Sequence, residues 1–426
     1  MTRSYKLLCQ SCDKTFEDDG FMLDCDGEHQ ASLLIAEYAA DTFTVDRQQP
    51  GMYRYHSWLP IVKNISGSSG TVTYQSKSLS QLTGLPFLWI SFNGYWPEKG
   101  VKLETTTFKE LEAYTVLSRL PEGFDDVLVV SSAGNTASAF AYICSQQKQP
   151  CLIILPESGL ARMQFTESLD PCVKIVCLTG NVDYYDAIVL ANRVAQREGF
   201  VLEGGVKNVA RRAGLGVTML NAVETIGRLP DYYFQAVGSG AGGIAVHEMA
   251  RCLMKDTRFG NRYPRLMLGQ NKPFAPIYHS WKAKRSSLIE LSSDEGKRQI
   301  QSIVSKVLSN QKPPYAVRGG VFDVLVESQG DMLAASNQEI QQAMNTFYTA
   351  EGIDIDPAAG VAFATLLSEL RASHIDRDAV VLLNVTGGGW EHKRAHCRLI
   401  PASPALRICD SELASGDVMD RIMGLF

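Results

Sequence analysis

The chain has 426 residues, of which 45% are hydrophobic and 20% are charged, with a net charge of −5. This composition is typical of soluble globular proteins, and at roughly 150 residues per domain it predicts two or three domains. Lysine and arginine are scattered, and no window holds the roughly 18 apolar residues of a membrane helix, so the sequence argues against a nucleic-acid-binding protein and against a membrane protein.

The N-terminal segment, residues 1–45, is acidic, carries cysteines and lacks periodicity. Its start, "MTRSYKLLCQSCDK", lacks the apolar region of a signal peptide, so we expect a cytoplasmic protein with reduced cysteines. Cys9 and Cys12 form one short pair, and Cys25 and His29 form a second pair, with twelve residues between the two pairs, a spacing typical of zinc ligands. Either His29 completes a structural zinc site or these cysteines hold no metal. No metal is assigned to the active site.

From about residue 85 the chain alternates predicted strands and helices. In "DDVLVVSSAGNTASAFAYICSQQ", residues 127–130 form an apolar run typical of a buried strand, a loop follows, and residues 137–147 form a helix. Similar strands or strand–loop–helix units are predicted in "PCLIILP", "VKIVCLTG", "YYFQAVGSGAGGIAVHEMARCLMKD" and "AVVLLNVTGGGW". This alternation predicts an α/β protein with mostly parallel sheets.

The predicted elements divide into two domains after the N-terminal segment. The strand–helix series in residues 124–213 indicates a smaller α/β domain, because the long helix "GLGVTMLNAVETIG" separates it from the rest. Residues 46–123 and 214–426 would then form the larger domain. Within it, residues 47–60 look like a connector.

Three polar or glycine-rich loops follow predicted strands, at residues 131–136, 238–243 and 386–389. Ligands of open parallel sheets bind beyond the carboxyl ends of the strands, so the loops predict one pocket. The 238–243 loop has uncovered N–H groups at a predicted helix start and is a phosphate candidate, or else a plain tight turn. Asn135 offers a polar side chain, or else caps a helix. Thr386 offers a hydroxyl, or else bonds a neighbouring backbone group.

Lys109 lies in the first turn of a predicted helix. Thr107 and Glu110 have the spacing of a capping box, and an apolar stripe follows at Leu111, Tyr114, Leu117 and Leu120. A cation in the first turn opposes the helix dipole, which suits a lysine that is often neutral, as a covalent nucleophile or a general base. The alternative is a lysine that points to solvent.

Taken in chain order, the lysine, the Asn135 loop, the glycine loop and Thr386 resemble the fold type II pyridoxal-phosphate enzymes, the tryptophan synthase β and threonine synthase group. The resemblance implies an α/β fold of two parallel-sheet domains with pyridoxal 5'-phosphate between them. It implies that Lys109 binds the cofactor aldehyde covalently, that Asn135 hydrogen-bonds the ring hydroxyl oxygen and that Thr386 faces the pyridine nitrogen. The cofactor phosphate would be held by Gly238, Ser239, Gly240, Ala241, Gly242 and Gly243.

Four further stretches, "SFNGYWPEKG", "RLPDYYFQAVGSGAGGIA", "GQNKPFAP" and "EGIDIDPAAG", resemble the cysteate synthase family, a relative of the threonine synthases. The resemblance implies a homo-oligomeric enzyme that makes L-cysteate and phosphate from O-phospho-L-serine and sulfite, in coenzyme M biosynthesis. The substrate-binding residues that it implies are Ser132, Ala133, Gly134, Thr136 and Arg162. Other basic candidates for the mouth of the site are Lys99, Lys102, Arg211 and Arg212.

Three alternative functions remain open at this point. One is a threonine synthase-like enzyme acting on O-phosphohomoserine. Another is a β-replacement enzyme that uses a nucleophile other than sulfite. The third is a non-catalytic relative that binds a phosphorylated amino acid, against which Lys109 argues because a sensor would not need it.

Overall fold

The computed structural model of the protein describes residues 3–426. In this range the strands are β1 (Tyr5–Cys9), β2 (Thr15–Phe16), β3 (Leu34–Tyr38), β4 (Val72–Gln75), β5 (Leu88–Phe92), β6 (Tyr95–Trp96), β7 (Val101–Lys102), β8 (Val127–Ser131), β9 (Cys151–Pro156), β10 (Gln164–Phe165), β11 (Val173–Thr179), β12 (Phe200–Leu202), β13 (Tyr232–Ala236), β14 (Arg265–Asn271), β15 (Asp331–Ala335), β16 (Val381–Val385), β17 (Ile400–Pro401) and β18 (Leu406–Cys409).

The α-helices of the same range are α1 (Lys77–Thr83), α2 (Lys109–Arg119), α3 (Asn135–Gln147), α4 (Glu157–Leu160), α5 (Tyr184–Val194), α6 (Val209–Ile226), α7 (Ala241–Asp256), α8 (Pro276–Lys282), α9 (Ser293–Ser302), α10 (Val321–Glu327), α11 (Asn337–Glu351), α12 (Pro357–Arg371), α13 (Trp390–His396) and α14 (Asp417–Met423). None of the helices in residues 3–426 is both long and apolar enough to cross a membrane.

The larger sheet has six strands in the order β15-β14-β13-β16-β5-β4. All neighbours are parallel except β4, which pairs antiparallel with β5. β16 is completely buried, and its sequence VLLNV is an apolar run broken only by Asn384. Asn384 is satisfied inside the sheet, because its Nδ2 donates to the hydroxyl of Tyr233 at 2.6 Å. The predicted parallel sheet with strands covered on both faces is confirmed.

The smaller sheet has five parallel strands in the order β12-β8-β9-β11-β18. Four of them come from the predicted smaller domain at residues 124–213. The fifth, β18, comes from the C-terminus, where Val176 pairs with Leu406 and Thr179 pairs with Cys409. The predicted division differs here, since residues 214–426 were all assigned to the larger domain. Ile408 and the apolar face of α14 complete the outer core of the smaller sheet.

Helices α2, α3 and α6 lie within the main hydrophobic core, which joins residues of both sheets. Helix α2 is buried on nearly its whole circumference and packs against α3 and α6. A small antiparallel sheet, β2-β1-β3, is formed by the N-terminal segment. Residues 47–60 are not an open connector, because they contain a 3-10 helix, Gly51–Trp58, with Tyr53 and Trp58 buried.

Candidate active site

The carboxyl ends of β8, β13 and β16 and the start of α2 surround one cleft. Its lining residues are Phe108, Lys109, Ser132, Ala133, Gly134, Asn135, Thr136, Tyr184, Arg211, Gln235, Ala236, Val237, Gly238, Ser239, Gly240, Ala241, Gly242, Val307, Leu308, Asn310, Ala358 and Thr386. The structure therefore brings together the three predicted loops and Lys109. Gly243 and Arg162 do not line this cleft.

Lys109 is the first residue of α2 and is positioned by backbone contacts with the end of β16. The amide of Phe108 donates to the carbonyl oxygen of Thr386 at 3.1 Å, and Thr107 forms an antiparallel bridge with Gly387. The predicted capping box is wrong. The Glu110 carboxylate instead accepts from the amide and the hydroxyl of Thr105, at 2.7 and 3.0 Å.

The amine of Lys109 belongs to a chain of charged side chains. Its Nζ lies 3.0 Å from Glu112 Oε2, and Glu112 Oε1 lies 3.3 Å from Arg211 Nη1. Glu112 Oε1 also accepts from the hydroxyl of Thr136 at 2.7 Å. Arg211 donates through Nε to Glu203 Oε1 at 2.8 Å. Because Glu112 and Glu203 balance the two cations, the buried charges are paired, as burial requires.

The surroundings of Lys109 lower the pKa of its amine. Burial lowers the pKa of Lys109, and the nearby Arg211 guanidinium acts in the same direction, while Glu112 opposes both. Although burial disfavours the charge of Arg211, the carboxylates of Glu112 and Glu203 raise the pKa of its guanidinium. Arg211 therefore stays cationic beside a lysine with a lowered pKa, an arrangement suited to a covalent nucleophile or a general base.

The loop from Ser132 to Thr136 is folded around one hydroxyl. Ser132 Oγ accepts from the amides of Gly134 and Ala137, each at 2.9 Å, so only its hydroxyl proton is left for a ligand. Gly134 precedes α3 with φ +145°, a conformation that side chains rarely adopt. Asn135 is the first residue of α3 and does not cap it, since the cap position is Gly134. Its side chain is left to face the cleft.

The glycine loop forms a cradle at the start of α7, a helix of 16 residues. Gly240 has φ +86°, and an added Cβ would collide with the Val321 side chain, while one on Gly242 would collide with Gln235. The amides of the first helical turn have no acceptor within the helix, and they suit an anion. Gly243 has a packing role instead, because a Cβ there would lie 2.8 Å from Leu268 Cδ1.

Thr386 is buried at the end of β16 and lines the cleft. No aspartate or glutamate is among the cleft-lining residues of the described chain. A heteroaromatic nitrogen placed next to Thr386 would therefore meet a neutral hydroxyl. The backbone of Thr386 is engaged separately, because its carbonyl oxygen accepts from the amide of Phe108.

Several lining residues were missed or were only minor candidates in the sequence. Tyr184 begins α5, the helix that follows β11, and burial raises the pKa of its phenol. Its position just after the predicted strand "VKIVCLTG" could have indicated that it lies near the cleft, at the carboxyl edge of the sheet. Leu308 and Asn310 come from an irregular stretch between α9 and α10, for which the sequence has no comparable signal.

The remaining basic candidates lie outside the cleft. Arg162 Nη2 is 2.9 Å from Asp356 Oδ2, and its guanidinium lies over the Trp390 ring, beside the Gly134 turn. Arg212 is buried and pairs with Glu248 at 2.9 Å. The Lys99 amine lies over the rings of Tyr74 and Trp96, and Lys102 is exposed.

Solved structures with this fold include maize serine racemase, at TM-score 0.56 and 17% identity over 76% of this chain and 92% of that chain. Diaminopropionate ammonia lyase from Escherichia coli, in complex with an aminoacrylate-PLP azomethine reaction intermediate, aligns at TM-score 0.58 and 16% identity over 78% of this chain and 87% of that chain. These likenesses show the fold alone.

The family model described as "Pyridoxal-phosphate dependent enzyme" matches residues 69–387. Proteins named cysteate synthase are similar over nearly the full length. The one from Methanosarcina acetivorans is 40% identical over 96% of this chain and 97% of that protein, and the one from Methanocella paludicola is 44% identical over 95% and 94%. The chain therefore belongs to the family of pyridoxal-phosphate-dependent enzymes and, within it, to the cysteate synthase group.

Proposed function

We propose that this enzyme, acting as a homo-oligomer, converts O-phospho-L-serine and sulfite to L-cysteate and phosphate. The observation that carries the proposal is the convergence of Lys109, the Asn135 loop, the glycine cradle and Thr386 on one cleft. The names of the full-length relatives support the choice of substrates.

The residues of the cleft fit pyridoxal phosphate. The glycine loop packs so closely against Val321 that a Cβ on Gly240 would collide with it, which keeps the loop backbone bare of side chains there. The helix that starts at this loop suits a phosphate. Lys109 would hold the cofactor aldehyde, Asn135 its ring hydroxyl oxygen and Thr386 its pyridine nitrogen. When bound, the cofactor supplies an electron sink that acidifies the substrate α-proton and allows the β-substituent to leave.

Lys109 is the base that we assign to the α-carbon. Its amine, with a lowered pKa, takes the α-proton before phosphate leaves the β-carbon and returns it after sulfite has added. A positioned base of this kind contributes about 10²–10⁴-fold to rate. Glu112, which accepts from the Thr136 hydroxyl, holds the Lys109 amine at one side of the cleft, so the same amine can serve both proton transfers.

The substrate anions require positive partners. The amides at the start of α3 and the polar loop from Ser132 to Thr136 suit the substrate carboxylate. Arg211 is already paired with Glu112 and Glu203, so we assign it to positioning of Glu112. Arg162, beside the Gly134 turn, has one carboxylate partner, Asp356, and its side chain is 25% exposed against 6% for Arg211, so we assign Arg162 to the substrate phosphate.

The direct test is product analysis with the full chain saturated with pyridoxal phosphate. We expect phosphate and L-cysteate to accumulate in equal amounts, and only when O-phospho-L-serine and sulfite are both present. Formation of cysteine from sulfide in place of sulfite would instead indicate another nucleophile. Formation of threonine from O-phosphohomoserine would indicate a threonine synthase-like enzyme. A visible spectrum that none of these substrates changes would contradict every catalytic assignment.

A further inference from the structure

Four metal-ligating side chains of the N-terminal segment meet at one point. Cys9 ends β1, Cys12 lies in the turn before β2, and Cys25 and His29 lie in the loop between β2 and β3. Their three sulfur atoms and one ring nitrogen all lie within 4.8 Å of one another. We propose that Cys9, Cys12, Cys25 and His29 bind one structural Zn²⁺ ion, a site separate from the cleft that holds Lys109.

The ligand distances have the dimensions of a tetrahedral zinc site. Cys12 Sγ lies 3.6 Å from Cys25 Sγ, and Cys9 Sγ lies 3.4 Å from His29 Nε2. With Zn–S of about 2.3 Å and Zn–N of about 2.0–2.1 Å, the edges of a tetrahedron measure about 3.5–3.8 Å. These two of the six ligand separations are therefore already close to those of a tetrahedral site, and the others, none above 4.8 Å, would contract around a bound ion.

The surrounding groups orient the ligands as they do in metal sites. His29 Nδ1 lies 2.7 Å from the carbonyl oxygen of Gln30, which places the ring proton on Nδ1 and leaves the Nε2 lone pair facing the sulfur atoms. The amides of Ser11 and Gly27 donate to the sulfur atoms of Cys9 and Cys25, at 3.5 and 3.3 Å. Such donors stabilise thiolates, the form in which cysteine binds zinc.

Gly27 shows that the loop is closed tightly around the cluster. A Cβ at this position would lie 2.9 Å from His29 Cδ2 and 3.0 Å from His29 Nε2, closer than side chains normally approach. A side chain at this position would therefore displace the His29 ring from the three thiols.

The ion would fasten a loop that contacts the catalytic body. Asp18, on that loop, accepts from the buried Arg119 at the end of α2, at 2.7 and 2.9 Å. Arg119 also donates to Asn208, which caps α6. Because four protein ligands fill a tetrahedral ion, no position is left for a substrate, and the role of the ion is structural.

The test begins with the metal content of the full-length holoenzyme, purified without chelator. We expect one zinc per chain, and expect Co²⁺ exchanged into the same protein to show the d–d bands of tetrahedral coordination. Removing the zinc with a strong chelator should lower the thermal midpoint, and added Zn²⁺ should restore it. These measurements need no mutant to fold.

Variants then identify the ligands. Cys12→Ser and His29→Gln should each abolish stoichiometric zinc, while Cys409→Ser, at a half-buried cysteine of β18, should retain it. Gly27→Ala keeps all four ligands but displaces His29, and we expect a loss of about 10–100-fold in zinc affinity, as for altered groups around a metal.

Three results would overturn the proposal. The first is wild-type protein that contains no zinc and takes up neither Zn²⁺ nor Co²⁺ under reducing conditions. The second is a disulfide between Cys12 and Cys25 in protein prepared with a reductant. The third is zinc retained at one per chain in both Cys12→Ser and His29→Gln, which would place the ion elsewhere. None of these outcomes depends on the substrates of the cleft.

Discussion

Lys109 Nζ and Glu112 Oε2 lie 3.0 Å apart, one turn along the same helix, with the carboxylate fully buried. Glu112 is in turn held from two other helices, by the hydroxyl of Thr136 on α3 and by Arg211 on α6. The direction of the Lys109 amine is therefore set jointly by α2 and by the first turns of α3 and α6.

Glu112→Gln should alter the pH dependence of catalysis. The glutamine keeps the shape but removes the charge that raises the pKa of Lys109, so the pKa of the free amine falls further. We expect kcat to fall by about 10–100-fold, because a weaker base transfers the proton less readily, and the acidic limb of the kcat profile to move to lower pH. Glu203→Gln, which contacts Arg211 and not Lys109, is the matched control and should shift the limb less.

Lys109→Ala should abolish turnover while leaving the fold intact. The residue is the base and the covalent anchor in the proposed function, and its loss leaves Glu112 paired with Arg211 and Thr136. We expect kcat to fall by at least about 10²–10⁴-fold and the visible band of the lysine-bound cofactor to disappear, with an unchanged circular dichroism spectrum. Lys102→Ala, at an exposed lysine, should behave as wild type. A fully active Lys109→Ala protein would contradict the assignment of Lys109 as base and covalent anchor.

Gly240→Ala should weaken cofactor binding. The added methyl group meets Val321 and imposes a left-handed conformation that costs about 1–2 kcal/mol. Gly227→Ala is the matched control, since Gly227 has φ +83° but open space around it. We expect both variants to lose stability, Gly240→Ala the more because of its collision with Val321, and Gly240→Ala alone to raise the dissociation constant of pyridoxal phosphate, by about tenfold or more. Equal cofactor affinity in the two variants would contradict the cradle assignment.

Arg162→Gln tests the assignment of the substrate phosphate. If the guanidinium binds this phosphate, the KM for O-phospho-L-serine should rise by about tenfold or more with little change in kcat, as expected for loss of one charged hydrogen bond. Arg407→Gln, which removes an exposed arginine from β18, should leave KM unchanged. An unchanged KM in Arg162→Gln would restrict Arg162 to its pairing with Asp356.

Much of the fold was predictable because its signals are local. The buried run at Val127–Ser131 and the glycines before α7 each identify a strand end or a helix start without knowledge of distant residues. Since carboxyl ends of parallel strands meet at one edge, the loops that follow them could be expected to form one cleft.

What the sequence did not predict depends on long-range pairing. Nothing in Leu406–Cys409 shows that this strand joins β11, more than 200 residues earlier, because any apolar strand could fill that edge. The capping spacing of Thr107 and Glu110 was a local signal, but Glu110 turns to Thr105 because the Thr107 backbone pairs with Gly387. Arg162 is a candidate whose buried partner, Asp356, could not be inferred from its neighbours in the chain.

Glu110→Gln should stabilise the protein above neutral pH. Glu110 is 1% exposed, and burial raises the pKa of its carboxyl from 4.5 to about 7, although Thr105 opposes the change by hydrogen bonding. Between these two pH values the folded protein binds a proton that the unfolded chain has released, so wild-type stability falls as the pH rises through this window. The loss is about 3 kcal/mol at most above pH 7.

The glutamine cannot ionise, so it escapes this loss and can still accept from Thr105. Urea unfolding should show the Glu110→Gln variant gaining stability over wild type between pH 5 and pH 8, with no gain below about pH 4.5. Glu122→Gln, at an exposed glutamate beyond the end of α2, should show no such divergence. A constant difference between Glu110→Gln and wild type across this range would mean that Glu110 does not change protonation there.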